Sequence, residues 1–253
     1  MKAHIVLAHP EAKSFNGQLA SLTVQGLEKQ GYSVTQSDLY RMDFDPCEKA
    51  EHFTSRSSDE VFHAQTEQRY NAGEGTLPAD VQAEIDNILA SDLLVVHFPL
   101  WWFGPPAILK GWMDRVFAYG KMYKSKERYD RGICAGKKMI ACVTTGASKA
   151  SCSYNGREGD TMMHLWPVLF PFRYLGFQVH QPEVFHGVGG VSFIEGHDGA
   201  NSIIDSYEKR WNGTISSLGD RAFVSYNADI DFDETNRLLK DAPDYSPFVR
   251  QTK

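Results

Sequence analysis

The sequence predicts an α/β domain built on a doubly wound parallel sheet of five strands, followed by a C-terminal extension. Three observations support that class. Apolar runs rich in β-branched residues alternate along the chain with segments at helical spacing, which is typical of βαβ units. The run at residues 93–98 is apolar throughout, as expected for a strand covered on both faces. Aromatic or polar segments follow three of the runs, at the strand ends where open α/β sheets bind ligands.

The first helix is predicted to begin near Ser14 or Asn16, which are both favourable N-caps, and to stop near Gly31. Pro167 and Pro171 are expected to interrupt a later helix. The predicted strands are residues 3–8, 33–39, 93–98, 137–144 and 177–185. The remaining predicted helices are residues 77–90, 108–117, 161–175 and 202–218.

Two segments have no clear periodicity. Residues 40–76 are polar and charged, and they predict a short irregular helix within a long surface excursion. The tail at residues 219–253 carries aromatic side chains, so we expect it to pack on the domain, residues 1–218, or on a second subunit. GVGG at 187–190 imitates a nucleotide-binding motif, but no obvious helix follows it, and it is assigned to a loop.

Composition excludes several classes. The 253-residue chain has a formal net charge of -6, which argues against general nucleic-acid binding. No apolar run approaches the ~20 residues that span a bilayer, and no signal peptide is evident, so we expect a cytoplasmic protein without an integral membrane segment. The four cysteines form no CxxC and fit no zinc spacing, so no metal site is predicted.

The segment PLWWFGPP at 99–106 is the strongest candidate for a binding loop. Trp101, Trp102 and Phe103 follow directly after the apolar strand, and Pro105 and Pro106 stiffen the chain behind them. Three large aromatics at this edge favour a planar ligand lying against the loop. The alternative is a satellite core or a subunit contact, because exposed aromatics also mark interfaces.

Two further loops end neighbouring strands. His9, Ser14 and Asn16 surround a helix start, where unpaired N–H groups favour an anion, although GxGxxG and P-loop motifs are absent. Their alternative role is ordinary turn and cap chemistry. Residues 144–160 (TTGASKASCSYNGREGD) are rich in small, hydroxyl and glycine residues. That composition suits a backbone cradle for the polar edge of a ligand, and equally an ordinary flexible loop.

The chain resembles the NAD(P)H:quinone oxidoreductases of the flavodoxin-like superfamily, the DT-diaphorase group. The matching segments are IVLAHPEAKSFNGQL, DLYRMDFDP, ASDLLVVHFPLWWFGPPAILKGWMDRVF, VTTGASKASCSYNGREGD and LWP at 165–167. The resemblance covers about residues 3–180 well and the rest thinly. It implies a flavodoxin-like sheet, a bound FAD, with FMN less favoured, and a homodimer with sites at the subunit interface. It also implies ping-pong hydride transfer from NAD(P)H through the flavin to a quinone.

Site residues are carried over by position from this resemblance. The cofactor-binding residues it implies are His9, Ser14, Phe15, Asn16, Gln18, Pro99, Leu100, Trp101, Trp102, Phe103, Thr144, Thr145, Gly146 and Ala147. The substrate-side residues it implies are Trp102, Phe103, Tyr123 and Phe232. A stretch similar to the one around Phe232 reaches into the partner's site in the family.

The chain departs from the family pattern where charge on the reduced flavin is stabilised. The family's tyrosine and histidine align with Cys152 and Glu158, and Tyr154 lies two places away. A second tyrosine aligns with Ser125, and a late arginine with Ala200. We assign the catalytic role to Tyr154, Glu158 and Gly146, with the Tyr154 hydroxyl and loop N–H groups as donors and Glu158 turned away.

Other functions fit parts of the same pattern. A flavin-dependent reductase could take nitroaromatic or azo compounds as acceptors. A flavodoxin-like one-electron carrier would need an exposed flavin edge, which the aromatic loop and the long tail disfavour. A flavin-bearing regulatory subunit would bind the cofactor without turnover of quinone.

Overall fold

The computed structural model describes residues 1–188 and 198–251, with the side chains of 198–202 outside the description. Six strands form one parallel sheet. They are β1 (Lys2–Leu7), β2 (Ser33–Asp38), β3 (Leu93–Pro99), β4 (Lys138–Thr145), β5 (Gln178–Val179) and β6 (Glu183–His186). The sheet order is β2-β1-β3-β4-β5, and β6 also pairs with β4. The parallel doubly wound sheet predicted from the sequence is confirmed, with one extra short strand.

The predicted fifth strand is divided in two. β5 pairs with the start of β4, at Lys138 and Met139, whereas β6 pairs with its end, from Cys142 to Thr145. Pro182 lies in the gap and has no N–H to donate to a ladder. The tail takes over the pairing there: Val224 N–H donates to Val179 O at 2.7 Å, and Gln181 N–H donates to Ala222 O at 2.9 Å.

Helices cover both faces of the sheet. They are α1 (Phe15–Lys29), α2 (Ala64–Glu74), α3 (Ala79–Ala90), α4 (Ala107–Val116), α5 (Thr161–Tyr174) and α6 (Asp198–Ser216). Alternate residues of each strand point to opposite faces. Val6, Val96 and Val143 therefore pack on the core that includes α3, α4 and α5 residues, and Ile5 and Val95 pack on the core with α1 and α6. Among the described helices, none is long and apolar enough to cross a membrane.

Two helix predictions need correction. α5 runs unbroken through Pro167 and Pro171, although each proline removes one N–H donor. Pro167 and Met163 both lie on the exposed side of the helix. The Met163 carbonyl would accept from the N–H that Pro167 lacks, and it can bond to water instead. The predicted helix at 202–218 begins earlier, at Asp198, and ends at Ser216. Of the predicted loop at 187–190, Gly187 lies in a turn but Val188 is helical, and 189 and 190 lie outside the described residues.

The excursion at 40–76 contains a regular 11-residue helix, α2, instead of the short irregular one expected. A buried arginine ties the excursion to α4. Arg115, 1% exposed, donates to Asp45 O at 2.9 Å and to Asp80 Oδ2 at 2.7 Å, and its guanidinium lies 4.9 Å from the centre of the Phe44 ring. Asp80 is 40% exposed, so it is the contacts of the buried arginine with the Asp45 carbonyl and the Phe44 ring that fix where the excursion lies.

The tail packs along the domain through backbone and ring contacts. His180 and Phe223 stack at 4.3 Å between ring centres, and the Arg221 guanidinium donates to the carbonyls of Gln181 and Pro182. Farther on, Asp229 N–H donates to the Asp130 carboxylate at 2.5 Å. The division of the chain at residue 218 into a domain and a tail stays a prediction.

Candidate functional site

The ends of β1, β3 and β4 lie side by side at the carboxyl edge of the sheet. Ala8 N–H donates to His97 O at 2.9 Å, and Leu100 N–H donates to Thr144 O at 2.7 Å. These bonds continue the strand pairing into the loops that begin at residues 9, 100 and 145. The three loops selected from the sequence therefore start at one edge, as expected for a ligand site of an open α/β sheet.

The aromatic loop is a tight turn on strained backbone. Trp101 and Gly104 exchange N–H···O bonds of 2.9 and 3.0 Å, and the two residues between them have φ values of 50° (Trp102) and 62° (Phe103). Two left-handed central residues define a type I′ turn, which normally uses Asn-Gly. Bulky side chains in that conformation cost on the order of 1–3 kcal/mol each, and such strain clusters at functional sites.

The strained turn displays its rings at the surface. Trp102 is 96% exposed and Phe103 is 50% exposed. The ring centres of Trp101 and His9 are 6.1 Å apart, so Trp101 connects the turn to the loop after β1. The arrangement presents flat apolar faces that the described residues leave exposed, which suits a planar ligand or a partner surface.

The loop after β1 is held close to the start of α1. Ser14 caps the helix, with its Oγ accepting from Gly17 N–H at 3.2 Å. A Cβ at Gly17 would lie only 2.1 Å from Ala12 O, so this close approach requires glycine. The first-turn N–H groups of Phe15 and Asn16 have no intrahelical partner and can bind an anion. The ring of Phe15 turns inward and packs at 5.8 Å on Phe185.

His9 completes this loop as a neutral donor or acceptor. Burial lowers the pKa of His9 below its ordinary value, so the ring is uncharged at neutral pH. His9 Nδ1 lies 3.0 Å from Glu11 N and 3.1 Å from Glu11 O, so either tautomer of the ring finds a partner in the main chain of Glu11. Gln18 lies one turn into α1 and is exposed.

Asn16 joins the helix start to the end of β4. Its Nδ2 donates to Thr144 Oγ1 at 2.8 Å, and the side chain is 2% exposed. Its Oδ1 is buried and has no hydrogen-bond partner among the described residues. A buried acceptor left unpaired costs about 1–3 kcal/mol, so a ligand or water donor at the junction of these two loops would stabilise it.

The loop after β4 folds back on itself. Thr145 Oγ1 accepts from Ala147 N–H at 3.3 Å, and Gly187 N–H donates to Ala147 O at 2.8 Å, so the loop is anchored to the end of β6. Gly146 is exposed between these anchors. The loop therefore holds a hydroxyl and main-chain groups in fixed positions beside the aromatic turn.

Tyr154 and Glu158 occupy the outer part of the same loop. Tyr154 is 86% exposed. The backbone of Glu158 is used for structure, because its N–H donates to Ser151 O at 2.9 Å and its carbonyl is hydrogen-bonded to His164 Nε2 at 2.7 Å. Both of these hydrogen bonds involve its main chain, and the absence of its carboxylate from the site stays a prediction.

His164 is a site neighbour that sequence analysis missed. Its ring lies 4.9 Å from the Phe103 ring, between centres, and its Nε2 is held by Glu158 O. The residue thereby connects the aromatic turn, the loop after β4 and the first turns of α5. A lone histidine in HLWP shows no spacing pattern, so the sequence contains no signal for this contact.

The proposed substrate-side residues do not gather at one place in a single chain. Tyr123 packs at 5.1 Å on Tyr119 and accepts from Gln65 Nε2 at 3.1 Å, and burial raises the pKa of its hydroxyl. Phe232 lines a cavity of about 550 Å³ whose walls are the 125–131 loop, α5 and the tail. Trp102 and Phe103 do not line this cavity, so one chain does not gather all four residues around it.

The fold and the site define a flavodoxin-like α/β protein, and the comparisons agree. The model of a family with the flavodoxin-like fold, Flavodoxin_2, matches residues 1–210. NAD(P)H dehydrogenase [quinone] 1 of Rattus norvegicus is 37% identical over 211 residues, which cover 83% of this chain and 76% of that protein. Ribosyldihydronicotinamide dehydrogenase [quinone] of Homo sapiens is 38% identical over 185 residues, covering 72% and 80%.

Solved structures show the same relationship. A protein described as a quinone reductase from Klebsiella pneumoniae has a TM-score of 0.84 at 27% identity, covering 94% of this chain and 93% of that one. The NAD(P)H:quinone oxidoreductase of Methanothermobacter marburgensis has a TM-score of 0.65 at 25% identity, covering 87% and 97%. The chain belongs to the flavodoxin-like NAD(P)H dehydrogenase (quinone) family, which confirms the resemblance found in its motifs.

Proposed function

We propose that this protein binds FAD at the carboxyl edge of its sheet and reduces quinones with NAD(P)H. The observation that carries the proposal is the strained type I′ turn, which presents Trp102 and Phe103 beside a loop of hydroxyl and main-chain groups. A bound flavin would supply the two-electron chemistry. The residues of the chain hold and orient it: aromatic faces for its ring, the 144–147 loop for its polar edge, and the α1 start for phosphate.

The residues present fit such a group. Asn16 Oδ1 is a buried acceptor at the junction of the two loops, and no described residue donates to it. His9 is neutral, so it can hydrogen-bond without adding charge. For stabilising negative charge at the polar edge we assign the N–H group of Gly146 and the hydroxyl of Tyr154, whose exposure leaves it free to turn toward the site. The N–H group of Ala147 joins them only by giving up its 3.3 Å hydrogen bond to Thr145 Oγ1.

We further propose a homodimer in which the tail of one protomer completes the site of the other. Support comes from the placement of Phe232, which lines a cavity away from the aromatic turn of its own chain, and from the exposure of Trp102 and Ile230 at 96% and 82%. An isologous dimer buries such rings on both protomers at once. We place the enzyme in the cytoplasm, which agrees with four free cysteines.

The decisive experiment is anaerobic half-reaction kinetics with the flavin-loaded protein. NAD(P)H alone is expected to bleach the yellow absorbance, and a quinone added afterwards to restore it. Steady-state double-reciprocal lines should be parallel, because donor and acceptor occupy one place in turn. Intersecting lines would contradict the proposal that donor and acceptor share one site. If NAD(P)H did not bleach the flavin, the protein would bind flavin without catalysing this reaction.

Mass spectrometry of the released cofactor decides between FAD and FMN. Sedimentation at micromolar concentration tests the dimer, and a chain ending before Gly219 should lose both assembly and turnover. A monomeric full-length protein with full turnover would contradict the proposal that the tail serves the partner's site.

A further inference from the structure

The tail covers a buried histidine where it pairs with the sheet. At the gap between β5 and β6, residues 222–224 pair antiparallel with residues 179–181, and His180 lies opposite Phe223 in this pairing. His180 is 0% exposed, and the Phe223 ring stacks on it with 4.3 Å between ring centres. Phe223 itself is 38% exposed, so on this side a single ring of the tail lies between the imidazole and water.

The proton of the neutral His180 ring lies on Nδ1. This nitrogen is 3.0 Å from Arg221 O, and a carbonyl oxygen can only accept a hydrogen bond, so Nδ1 must donate. Nε2 then carries a lone pair, and it is buried with no hydrogen-bond partner among the described residues. Protonation of the ring would therefore place a charged N–H group in a buried position where no described acceptor meets it, which is strongly unfavourable.

The charged side chains around His180 also oppose its protonation. Burial lowers the pKa of His180 below its ordinary value and outweighs the hydrogen bond to Arg221 O, which acts in the opposite direction. The cations Lys138 on β4 and Arg221 on the tail lower this pKa further. Glu183 on β6 does not offset them, because its carboxylate is paired with Arg210 and with Arg221, each at 2.9 Å. The imidazole under the tail is therefore neutral.

Opening of residues 222–224 removes both obstacles to protonation. The His180 ring then reaches water, where a histidine has an ordinary pKa of about 6.5. The open form binds a proton that the closed form binds only weakly, so opening is coupled to proton uptake. The closed pairing keeps its full stability above about pH 6.5 and loses stability as the pH falls below that value.

We propose that His180 is a pH-sensitive latch of the tail, whose protonation at Nε2 opens the pairing of residues 222–224 with residues 179–181. The proton comes from solvent and returns to solvent when the segment closes, so no second group has to titrate. The latch does not depend on the proposed redox activity, and it can be measured without turnover.

Contacts on both sides limit the opening to a short segment. On one side, Arg221 is held by the main-chain carbonyls of residues 181 and 182. On the other side, the Tyr226 ring lies edge-on to Trp166 with 5.5 Å between ring centres. The segment joins the domain to the part of the tail that carries Phe232. Under the proposed function, on which this consequence alone rests, its opening would make the position of Phe232 depend on pH.

The test is hydrogen exchange of single main-chain amides in the full chain at pH 7.5 and pH 5.5, with each rate divided by the intrinsic rate at the same pH. The Val224 N–H, which donates to Val179 O at 2.7 Å, should lose up to about tenfold of its protection at the lower pH. That is the effect of proton uptake over one pH unit below 6.5. The Leu100 N–H, which donates to Thr144 O at 2.7 Å, should keep its protection.

His180→Phe and His180→Gln are the test variants, because neither new side chain titrates. Phenylalanine keeps a ring against Phe223, and glutamine keeps a donor for Arg221 O. In each variant the protection of the Val224 N–H should be the same at both pH values. Protection of the Leu100 N–H at the wild-type level shows that the variant is folded.

His97→Gln is the matched control. His97 is also 0% exposed and also has one buried ring nitrogen without a partner among the described residues. Its ring contacts Thr23 and Trp211, away from the latch, so the variant should keep the wild-type pH response.

Three outcomes would overturn the proposal. The first is protection of the Val224 N–H that is equal at both pH values in the wild-type protein. The second is a pH-dependent loss that persists in both His180 variants or disappears in His97→Gln. The third is a loss that the Leu100 N–H shares, because it would report general unfolding and not a local opening.

Discussion

The turn at residues 101–104 and the cavity under the tail are both built from aromatic rings, but they present those rings in opposite ways. In the turn, Trp102 is exposed on left-handed backbone. The rings described next to Trp101 and Phe103 are the imidazoles of His9 and His164. The cavity stacks Trp166 between Phe170 and Phe248 and surrounds them with charged side chains. The turn suits a large planar ring lying on its surface, whereas the rings beside the cavity are already packed against one another.

The largest effect that should separate the two regions comes from Gly17→Ala. The added Cβ would meet Ala12 O at 2.1 Å, so the loop after β1 must move away from the α1 start. We expect FAD affinity to fall about a hundredfold, since misplacement by about 1 Å has effects of that size. The ring packing around Trp166, read by near-ultraviolet circular dichroism, should not change.

Gly73→Ala is the control for that substitution, because a Cβ there meets nothing within 4 Å. It should leave FAD affinity at the wild-type value and slightly stabilise α2. If Gly17→Ala bound FAD like the wild type, the loop after β1 would not be part of the cofactor site.

A second effect tests the polar part of the edge site. Tyr154→Phe should slow flavin reduction about tenfold to a hundredfold in anaerobic stopped-flow, the effect of one lost hydrogen bond to developing charge at ~1.5–3 kcal/mol. Glu158→Gln should change the rate less than about threefold, because the main chain of Glu158 makes the bond to His164. The reverse order of severity would make Glu158 the group that handles the proton.

The smallest expected effect is a difference in the free energy of unfolding between variants of two tryptophans, Trp102 and Trp166. Trp102 is 96% exposed and strained, so Trp102→Gly should change the free energy of unfolding by less than about 1 kcal/mol while it weakens FAD binding. Trp166 packs between two rings, so Trp166→Ala should destabilise the protein by about 2 kcal/mol and leave FAD bound. Chemical denaturation measures both, and a strongly destabilised Trp102→Gly would show that the turn serves stability instead.

Strand and helix periodicity was sufficient to predict the sheet and the edge at which the three loops meet. It did not predict how the loops are shaped. The Trp102-Phe103 pair lacks the Asn-Gly signal of a type I′ turn, because the strain is imposed by the flanking strand and prolines. The gap between β5 and β6 depends on Ala222 and Val224, about forty residues downstream, and no local pattern shows that contact.

Some of the site residues could be predicted from the sequence, and others could not. Asn16 and Thr144 were chosen separately by motif, and the structure joins them through a 2.8 Å hydrogen bond across the sheet edge. His164 was missed because one histidine on a helix has no periodic signal. The cavity was also missed, since its walls come from the 125–131 loop, α5 and the tail, which lie far apart in the sequence and meet only in the fold.

The most direct test of the flavin site at the sheet edge is fluorescence titration of FAD with flavin-stripped protein, with the Trp102→Gly variant titrated in parallel. The proposal predicts quenching that saturates at one FAD per chain, and weaker binding for the variant because an aromatic face is lost. A protein that stays colourless and does not quench FAD or FMN would contradict the proposed function. Equal FAD binding by the Trp102→Gly variant would remove Trp102 from the site.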